Sequence, residues 1–517
     1  MLAKVESRVV LGIEAKKVEV EVDITGGLPH FAIVGLADTA VKESRDRVIS
    51  AIKNCGFRFP PKRIIINLAP ADLRKEGAVL DLPIAVGILI ANGEIAQQDV
   101  EGRIFCGELS LDGKVKPVAG VLSIAAGLSK ISQSGSLKTG YEFILPSRNA
   151  KEAAVVSGVS VFPVKDLGEV VKFLRGEVKI DAAVAESGGL NTASAVSDID
   201  FCEVKGQLHV KRGLEVAAAG GHNVLMIGPP GSGKTMLAQR LPGILPELSF
   251  EEALETTKIH SVAGLLDSQN FLVSRRPFRM PHHTVSYAGL VGGGIKLRPG
   301  EISFAHNGVL FLDELPEFRR DALEALRQPL ESGEVTISRA IAALKYPAKF
   351  MFVAAMNPCP CGYFTDSNKE CHCSPRDIQR YLSKVSGPLL DRIDIHLEVA
   401  SLKYNELSDK SRGENSECVK ERVNRAREIQ KSRYKDLRVF CNAHLGSRQL
   451  GRFCRLDKEA EELLKLAVLE LGLSARGYDK VLKISRTIAD LAACEEIKVD
   501  HISEAINYRS LDRSLGF

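Results

Sequence analysis

The chain reads Gly228-Pro-Pro-Gly-Ser-Gly-Lys-Thr235 at the point where its architecture is most clearly encoded. This octapeptide fits the pattern G-x-x-x-x-G-K-[ST], with an apolar run before it at 223–227 and a helical pattern after it at 236–241. Glycines let backbone N–H groups converge on phosphate oxygens, and the N-terminus of the following helix adds positive potential. We therefore predict a phosphate-binding loop between a buried strand and a helix. Its residues are Gly228, Pro229, Pro230, Gly231, Ser232, Gly233, Lys234, Thr235 and Met236.

A second motif adds carboxylates to this predicted site. Residues 309–314 read VLFLDE, a hydrophobic strand that ends in Asp313 and Glu314. Lys234 can reach the β- and γ-phosphates of a nucleotide, while the Thr235 hydroxyl and, through water, Asp313 can hold Mg²⁺. Glu314 is the candidate that orients or deprotonates the attacking water. Either motif alone is compatible with an ordinary turn or strand end, but in this order the two predict nucleotide hydrolysis at a sheet edge.

Three further polar residues belong to the candidate site. Residues 351–358 read MFVAAMNP, a buried strand that ends in Asn357. The Asn357 side chain could touch the γ-phosphate or the water, unless the Asn-Pro pair is only a turn. Arg392 lies in LLDRID near a strand, and Arg476 opens a helix in SAR. From these residues alone, either arginine could equally be a structural ion-pair residue.

The order GPPGSGKT, VLFLDE, AAMNP, LLDRID and SARG resembles that of AAA+ ATPases of the magnesium-chelatase-like branch. The segments PFRMPHHTVSYAGLVGGG and NPCPCGYF extend the resemblance to the ComM/YifB family over nearly the whole chain. The resemblance implies that Asn357 is the sensor-1 residue, that Arg392 is an arginine finger for a neighbouring subunit, and that Arg476 is the sensor-2 residue. It also implies ATP and Mg²⁺ as cofactors and a homo-oligomer in the form of a hexameric ring.

The same resemblance implies a function. A member of this family is expected to couple ATP hydrolysis to DNA translocation or branch migration in homologous recombination during natural transformation. Its partner would be single-stranded or branched DNA. Two other functions stay open: an ATPase that remodels a protein partner, as magnesium-chelatase subunits do, and, less favoured, an ATP-dependent protease. Stimulation of the ATPase by DNA would separate the motor from both.

The N-terminal part of the chain resembles the Lon-protease fold, with departures at both catalytic positions. Residues 74–81 read RKEGAVLD where the protease carries its nucleophile, so that Val79 stands at the serine position. Residues 107–122 match the second protease segment, but Leu122 stands at the position of the catalytic lysine. A Ser–Lys dyad needs a hydroxyl group and an amine, and neither aliphatic side chain supplies one. The resemblance therefore implies a catalytically dead domain that serves assembly or DNA contact.

The chain is predicted to be an α/β protein with three folded units. Alternating strand and helix patterns predict a Lon-protease-like α/β domain at 1–178, and an Ala-, Ser-, Gly- and Asp-rich stretch predicts a linker at 179–200. Short buried parallel strands predict an AAA+ P-loop α/β ATPase core at 201–400. Helical periodicity predicts a helical C-terminal lid domain at 401–517, in which Ser474 is an N-cap. The main helices are predicted at 39–54, 83–93, 417–434, 458–471 and 475–494, and the main strands at 18–24, 31–34, 63–68, 223–227, 308–312 and 350–355.

Four of the eleven cysteines cluster as Cys359-Pro-Cys361 and Cys371-His-Cys373. Two C-x-C pairs joined by a short loop can supply four thiolates to a tetrahedral Zn²⁺, which predicts a structural zinc site. His372 could compete as a ligand. A reduced loop without metal is the alternative, and a redox switch is less favoured because no basic residue lies directly beside the thiols.

Basic residues concentrate in two segments of the predicted ATPase core, SRRPFRMPHH at 274–283 and a predicted hairpin at 334–349. In rings of the branch that the chain resembles, insertions at these places project into the central pore, where positive loops bind DNA without reading its sequence. A solvated basic loop is the alternative for either segment. The candidate DNA contacts are Arg275, Arg276, Arg279, Arg339 and Lys345.

The composition limits these predictions. Lys and Arg number 69 against 65 Asp and Glu, so the formal net charge of +4 excludes nucleic-acid binding by overall charge. The first residues carry scattered charges instead of an apolar core, and the longest apolar stretch is too short to span a bilayer. We therefore expect a cytoplasmic protein with reduced cysteines and no membrane partner.

Overall fold

The structure is a computed structural model of the chain. It describes residues 2–75, 77–133, 140–184, 199–266, 271–294, 297–339, 342–364, 366, 369–402, 413–437, 439–471 and 473–509.

The chain divides into two compact units. The first comprises Met1–Asn191 and Ala253–Val273, and the second comprises Thr192–Glu252 and Ser274–Phe517. The helix Phe250–Ala263 therefore begins in the second unit and continues into the first.

The first unit is built on a mixed sheet. Its strands are β1 Leu2–Leu11, β2 Glu14–Thr25, β3 His30–Val34, β4 Arg63–Ala69, β5 Arg103–Phe105, β6 Glu108–Leu109, β7 Val115–Lys116, β8 Glu142–Pro146 and β9 Ser160–Val164. Its helices are α1 Thr39–Asn54, α2 Asp81–Ala91, α3 Val121–Gln133, α4 Ala150–Ala154 and α5 Leu167–Leu174. Seven strands form one sheet in the order β3-β4-β2-β1-β5-β8-β9, and β6 pairs with β7. On β2 every second side chain from Val18 to Val22 is buried, because successive strand residues face opposite sides of the sheet.

The two positions that the Lon-like alignment singles out are packing positions in this unit. Leu122 is completely buried, and Val79 packs against the same apolar cluster. Neither side chain lines the cleft bordered by Arg103 and Phe173 or the cleft bordered by Lys234 and Asp313. The Lon-like fold of this unit stays a prediction.

The second unit contains a parallel sheet. Its strands are β10 Val224–Ile227, β11 Phe278–Arg279, β12 Gly292–Gly293, β13 Arg298–Pro299, β14 Val309–Leu312, β15 Glu334–Arg339, β16 Ala342–Pro347, β17 Met351–Met356 and β18 Ile395–Glu398. Five of them form a sheet in the order β11-β14-β17-β10-β18, in which every pair is parallel. Strands β10, β14 and β17 are buried along their whole length, as expected for parallel strands covered on both faces. The remaining strands form the antiparallel pairs β12–β13 and β15–β16.

The helices of this unit extend to Asn507 in the described part of the chain, and one of them, Phe250–Ala263, continues into the first unit. They are α6 Leu208–Gly220, α7 Lys234–Arg240, α8 Phe250–Ala263, α9 Tyr287–Val291, α10 Glu301–Phe304, α11 Arg320–Ala325, α12 Arg327–Ser332, α13 Pro375–Leu382, α14 Gly387–Leu390, α15 Ser416–Arg433, α16 Ser447–Phe453, α17 Lys458–Leu471, α18 Ala475–Leu491 and α19 Val499–Asn507. Val423, Leu464 and Ile488 of the C-terminal helices share one apolar cluster with Val224 and Leu397 of the sheet. The C-terminal helices and the sheet therefore have a common core.

The predicted fold class is confirmed, and the predicted elements are present with shifts of a few residues at their ends. Ser474 caps α18 by accepting a hydrogen bond from the N–H of Gly477 at 3.1 Å. Residues 185–198 of the predicted linker lie outside the described residues. The domain boundaries at 178, 200 and 400 stay predictions. Within the described ranges, the structure has no helix that is both long and apolar enough to cross a membrane.

Candidate active site

The loop between β10 and α7 lies at the carboxyl end of a buried parallel strand, as the sequence predicts. Gly231 and Gly233 have φ angles of 78° and 91°, in the left-handed region that favours glycine. Gly228 lies against the backbone of Val399, where a Cβ atom would meet the carbonyl oxygen at 2.1 Å. Backbone conformation or close packing therefore requires glycine at all three positions.

Lys234 opens α7, and its ammonium group is held inside the loop. Nζ donates to the carbonyl oxygens of Gly228 at 2.7 Å and Pro229 at 2.9 Å, and to Oδ1 of Asn357 at 3.2 Å. Burial lowers the pKa of Lys234 to about 8, although the charge of Asp313 acts in the opposite direction. A phosphate group in the cleft would supply the negative charge that this desolvated ammonium group lacks.

The two predicted motifs meet at the side chains of Thr235 and Asp313. Thr235 Oγ1 donates to Asp313 Oδ2 at 2.5 Å, although the two residues are 78 positions apart. The next residue, Glu314, has a φ angle of 53°, which is unusual for a residue with a side chain. Its carboxylate is more than half exposed and lines the cleft. The predicted Mg²⁺ ligands are thus adjacent, and the predicted base is open to solvent.

Asn357 reaches the site because of the strand order. Strand β17 lies between β14 and β10 in the sheet, so the residue that follows β17 emerges between the two motifs. Its Oδ1 accepts the hydrogen bond from Lys234 described above. The sensor role of Asn357 stays a prediction. Its side chain, however, lines the cleft and bonds to Lys234, so the residue is not simply part of a turn.

These residues line a cleft of about 380 Å³. The segment 230–236 borders it together with Asp313, Glu314, Met356 and Asn357, whereas Gly228 and Pro229 lie outside the lining and accept from Lys234. Inside the loop, Ser232 Oγ is buried and has no hydrogen-bond partner among the described atoms. An orphaned hydroxyl, a desolvated ammonium group and an adjacent pair of hard oxygen ligands form a donor set that fits the phosphates of ATP with Mg²⁺.

His283 is a neighbour of this site that the sequence analysis did not place there. Its Nδ1 lies 3.7 Å from Oε2 of Glu314, and its ring meets Phe318 edge-on with centroids 6.4 Å apart. Strand β11 pairs in parallel with β14, so the residues after both strands come to the same edge of the sheet. The sequence feature that could have placed His283 at the site is the short strand at 278–279, because it pairs with the strand that ends in Asp313 and Glu314. From the sequence, these residues were predicted to belong to a basic loop.

Arg392 does not line the cleft of its own chain. Its guanidinium group donates to a carboxylate oxygen of Glu331 and to the carbonyl oxygen of Pro388. Its side chain is only 14% exposed. The structure thus gives Arg392 no contact with its own candidate site, and its role in a neighbouring site stays a prediction.

Arg476 lies in the first turn of α18. Its side chain is 63% exposed, and its NH1 is 3.5 Å from Oδ2 of Asp391. It does not line the cleft either. The predicted sensor-2 role therefore requires α18 to approach the nucleotide, and it stays a prediction.

The four clustered cysteines come together as the sequence predicts. Their sulfur atoms all lie within 4.8 Å of one another, and the Cys359–Cys361, Cys359–Cys371 and Cys361–Cys371 pairs are 3.3, 3.7 and 3.6 Å apart. Four thiolates bound to one Zn²⁺ at about 2.3 Å are about 3.8 Å apart in a tetrahedron. The arrangement, completed by Cys373, fits a zinc ion, whereas His372 is exposed and is not part of the group.

The cysteine cluster packs on the phosphate-binding loop. Gly362, with a φ angle of 86°, lies against Pro230, where a Cβ atom would meet Cδ at 2.5 Å. The N–H of Gly362 donates to Cys359 Sγ at 3.2 Å, and the N–H of Tyr363 lowers the pKa of Cys361 to about 6. Burial raises the pKa of Cys359 to about 12, so Cys361 is the member of the cluster that most readily offers a metal a thiolate. The loop that carries the cysteines therefore packs against Pro230, one of the residues that line the cleft.

Two arginines of the basic segment 274–283 have internal partners. Arg276 donates to the carbonyl oxygens of Pro246 at 2.6 Å and Asn307 at 2.7 Å, and pairs with Glu252 at 3.0 Å. Arg279 forms two bonds with the carboxylate of Glu301, at 2.6 and 2.7 Å. Arg275 is exposed. The role of all three as DNA contacts stays a prediction.

The predicted hairpin is present as β15 and β16. Lys345 on β16 is 70% exposed and lies 3.4 Å from a carboxylate oxygen of Glu334. The side chain of Arg339 lies outside the described part of the structure. DNA contact by the hairpin stays a prediction.

Family comparisons agree with this geometry. A model described as "Magnesium chelatase, subunit ChlI" matches residues 200–407, which contain the cleft and the cysteine cluster. "Subunit ChlI of Mg-chelatase" matches residues 20–148, and "Magnesium chelatase, subunit ChlI C-terminal" matches residues 413–509. Together the three matches extend over both units.

Individual relatives match over the full length. The chain is 45% identical to the "Competence protein ComM" of Haemophilus influenzae, over 99% of this chain and 98% of that protein. It is also 45% identical to the "Uncharacterized protein YifB" of Salmonella typhimurium, with the same coverage. The "Magnesium-chelatase 38 kDa subunit" of Rhodobacter capsulatus is 27% identical over 31% of this chain and 50% of that protein. With a cleft that fits ATP and Mg²⁺ on a parallel sheet and relatives of this length and identity, the chain belongs to the ComM/YifB family of magnesium-chelatase-like AAA+ proteins.

Proposed function

We propose that this protein is a ring-forming ATPase that couples ATP hydrolysis to DNA translocation or branch migration in homologous recombination. The observation that carries the ATPase is the cleft in which Lys234, Thr235, Asp313 and Glu314 converge. The DNA substrate rests on full-length similarity to a protein named for competence, which supports a role in natural transformation. We expect such a motor to work in the cytoplasm.

The residues of the cleft divide the work of hydrolysis. ATP with Mg²⁺ supplies the phosphoryl group and a cation that neutralises its charge. Lys234 exchanges its carbonyl partners for phosphate oxygens, and Thr235 and Asp313 hold the cation. Glu314 orients the attacking water or accepts its proton, which its exposed position beside the cleft permits. Asn357 contacts the γ-phosphate or the water from between the two motifs.

A ring would complete the site with a residue from the next subunit. Arg392 lies outside its own cleft and is paired with Glu331, which it would leave for the phosphates bound by its neighbour. This exchange replaces a carboxylate with a phosphate, so the guanidinium group keeps an anionic partner. Arg476 would act on the nucleotide of its own subunit. We propose a hexamer as the assembly.

DNA would be bound by the basic segment and the hairpin. The candidate contacts are Arg275, Arg276, Arg279, Arg339 and Lys345, and of these Arg276 and Arg279 would have to give up the internal partners described above. Contacts of this kind neutralise phosphates and weaken with salt. The first unit would contribute to assembly or DNA contact without peptidase activity, since Val79 and Leu122 offer neither nucleophile nor base.

The cysteine cluster would hold a structural Zn²⁺. Four sulfur ligands leave no open coordination position, so a metal here would stabilise the loop 359–373 without taking part in hydrolysis.

The second candidate is an ATPase that remodels a protein partner. Its support is the match of three magnesium-chelatase family models over both units. The relative with the chelatase name, however, aligns with only 31% of this chain. We therefore prefer the DNA motor.

The test measures the ATPase rate with and without forked or four-way DNA at two salt concentrations, together with movement of a labelled branch point. We expect DNA to stimulate hydrolysis less at the higher salt, and expect Glu314→Gln to bind ATP and DNA without moving the branch. A Lys234-dependent rate that no DNA changes would favour protein remodelling. Absence of any nucleotide hydrolysis would contradict both candidates.

A further inference from the structure

The segment 391–394, which contains Arg392, is tied to the base of the strand that leads into the phosphate-binding loop. Asn223 Nδ2 donates to the carbonyl oxygen of Arg392 at 2.9 Å, and the N–H of Asn223 donates to Asp394 Oδ2 at 3.1 Å. The N–H groups of Asp394 and Ile395 both donate back to the carbonyl oxygen of Asn223 at 3.0 Å. Since Asn223 directly precedes β10, the backbone of Arg392 has a fixed point on the sheet.

Helix α18 holds the same segment. Lys480, in the middle of this helix, donates from Nζ to the carbonyl oxygen of Ile393 at 2.9 Å. Arg476, in the first turn, pairs with Asp391. Lys480 is only 8% exposed, and an ammonium group buried to this degree is costly unless it has fixed acceptors. The peptide that follows Arg392 is therefore a fixed acceptor of the helix.

Two further contacts strengthen this attachment. Arg509 NH1 donates to the same carbonyl oxygen of Ile393 at 2.7 Å. His222 Nε2 is 2.8 Å from Oγ1 of Thr487 on α18, and His222 Nδ1 is 3.6 Å from Asp394 Oδ2. Burial would raise the pKa of Asp394, but the neighbouring His222, the ammonium group of Lys480 and the hydrogen bond from the N–H of Asn223 outweigh it and hold the pKa below its ordinary value. The segment is thus clamped between the sheet and the helix by backbone and charged contacts.

We propose that Lys480 is a positioning residue that links two nucleotide sites of the ring. Helix α18 carries Arg476 towards the nucleotide of its own subunit, while the segment 391–394 presents Arg392 to the neighbour. Because Asn223 anchors the backbone of Arg392 to the sheet, a shift of α18 when its own cleft fills would act on the peptide at Ile393 through Lys480 and turn the side chain of Arg392 in the next cleft. This inference rests on the role of Arg392 between subunits in the proposed function.

The variant Lys480→Met tests the contact, while Lys480→Arg keeps a positive charge beside Asp394. Lys480→Met keeps the length of the side chain, and the carbonyl oxygen of Ile393 keeps Arg509 as a donor. Lys483→Met is the matched control, because Lys483 is on the same helix but donates to the carbonyl oxygen of Ala443 at 3.0 Å. We expect Lys480→Met to lower kcat about tenfold with unchanged ATP affinity, which corresponds to a moderate coupling between sites. Lys483→Met should resemble the wild type, and Lys480→Arg should recover most of the rate.

Rings that contain two kinds of subunit show whether Lys480 acts on the neighbouring subunit through Arg392 or only on the nucleotide site of its own subunit. Wild-type protein is mixed with excess Glu314→Gln subunits, which do not hydrolyse ATP but still present Arg392 to their neighbours. A second substitution in these silent subunits, Arg392→Ala, Lys480→Met or Lys483→Met, then acts only through the neighbour. We expect Arg392→Ala to suppress the remaining wild-type activity most, Lys480→Met to suppress it partly, and Lys483→Met to leave it unchanged.

The results distinguish a failure of the proposed role of Lys480 from a failure of the proposed role of Arg392 between subunits. If Arg392→Ala suppresses the mixed rings but Lys480→Met does not, the role of Lys480 is refuted and the ring ATPase stands. If Arg392→Ala itself has no effect in mixed rings, the action of Arg392 between subunits is wrong. If Lys480→Met loses ATP affinity or thermal stability while Lys483→Met does not, Lys480 is structural and the inference is also refuted.

Discussion

Lys75 in the first unit and Lys234 in the second are two buried lysines with the same kind of hydrogen bonding. Lys75 Nζ donates to the carbonyl oxygens of Gly35 at 3.0 Å and Leu68 at 2.8 Å, and also to that of Pro70. Lys234 likewise donates to three oxygen atoms. Burial lowers the pKa of both side chains, to about 8 for Lys234.

The difference lies in what surrounds each ammonium group. Lys75 is completely inaccessible, and its three acceptors belong to the backbone of its own unit. Lys234 borders an open cleft at the carboxyl ends of parallel strands, beside Asp313 and Glu314. A buried charge whose partners are all internal stabilises a fold, whereas one that borders an open cleft can exchange its partners for a ligand. Burial and a shifted pKa do not distinguish the two cases, but the cleft does.

The comparison of the two lysines predicts the largest effect for Lys234→Met, which should lose ATP hydrolysis. We expect kcat/KM for ATP to fall on the order of 10³-fold, because the ammonium group contacts phosphates during transfer. The free energy of unfolding should fall less than in Lys75→Met, since the oxygen atoms that lose their donor lie beside a cleft that water can enter. Steady-state ATPase kinetics and thermal denaturation measure both. The comparison breaks if Lys234→Met keeps its ATPase activity, or if Lys75→Met loses activity to the same extent.

Removal of zinc should have the next largest effect. We expect about one zinc ion per chain, and we expect Cys371→Ser to lose it and to lower the melting temperature by about 10 °C. ATP affinity should fall as well, because Gly362 of the cysteine loop packs on Pro230. Elemental analysis, calorimetry and nucleotide titration test this, with Cys418→Ser at an exposed free cysteine as the control. A wild-type protein that takes up no zinc from a zinc-containing buffer would overturn the assignment.

The variant Lys75→Met tests whether the buried lysine of the first unit contributes to stability and not to activity. Loss of the donor leaves three backbone carbonyl oxygens without it, so we expect the first unit to be destabilised by about 3 kcal/mol. ATP hydrolysis by the folded protein should stay near the wild-type rate. Hydrogen exchange along β3 and β4 gives the local measure, and Lys62→Met, at an exposed lysine nearby, is the control. Unchanged exchange in these strands would show that the buried lysine contributes nothing to the fold.

His283→Ala should have the smallest effect. His283 lies beside Glu314 and does not line the cleft, so we expect kcat to fall about tenfold with KM for ATP unchanged. His282→Ala is the comparison: its ring packs on that of His283 with centroids 4.1 Å apart, but its Nδ1 is bonded to Thr284 at 2.9 Å, so it should lower kcat less than His283→Ala. His283→Gln should restore part of the rate. An increase in KM without a change in kcat would mean that His283 acts on nucleotide binding and does not orient Glu314.

Much of the candidate site could be predicted because its determinants are local. The motif at 228–235 requires glycine where the backbone is left-handed and a lysine at the first turn of a helix, and these needs are met within eight residues. The carboxylates at the end of β14 and the two C-x-C pairs are equally local. For the same reason the helices 39–54 and 458–471 were predicted with their observed ends.

Contacts between residues far apart in the chain could not be predicted in this way. The contact of Lys480 with Ile393 joins residues 87 positions apart, and Arg276 reaches carbonyl oxygens about thirty positions away in either direction. Nothing in the sequence near these residues distinguishes a basic side chain that is used internally from one that is free for DNA. By itself, the amino-acid sequence determined the phosphate-binding loop, the carboxylates and the thiol cluster, because short-range backbone geometry and ligand spacing specify them. Only the tertiary structure decided that His283 borders Glu314 and that α18 holds the peptide beside Arg392, because the order and packing of strands and helices bring those residues together.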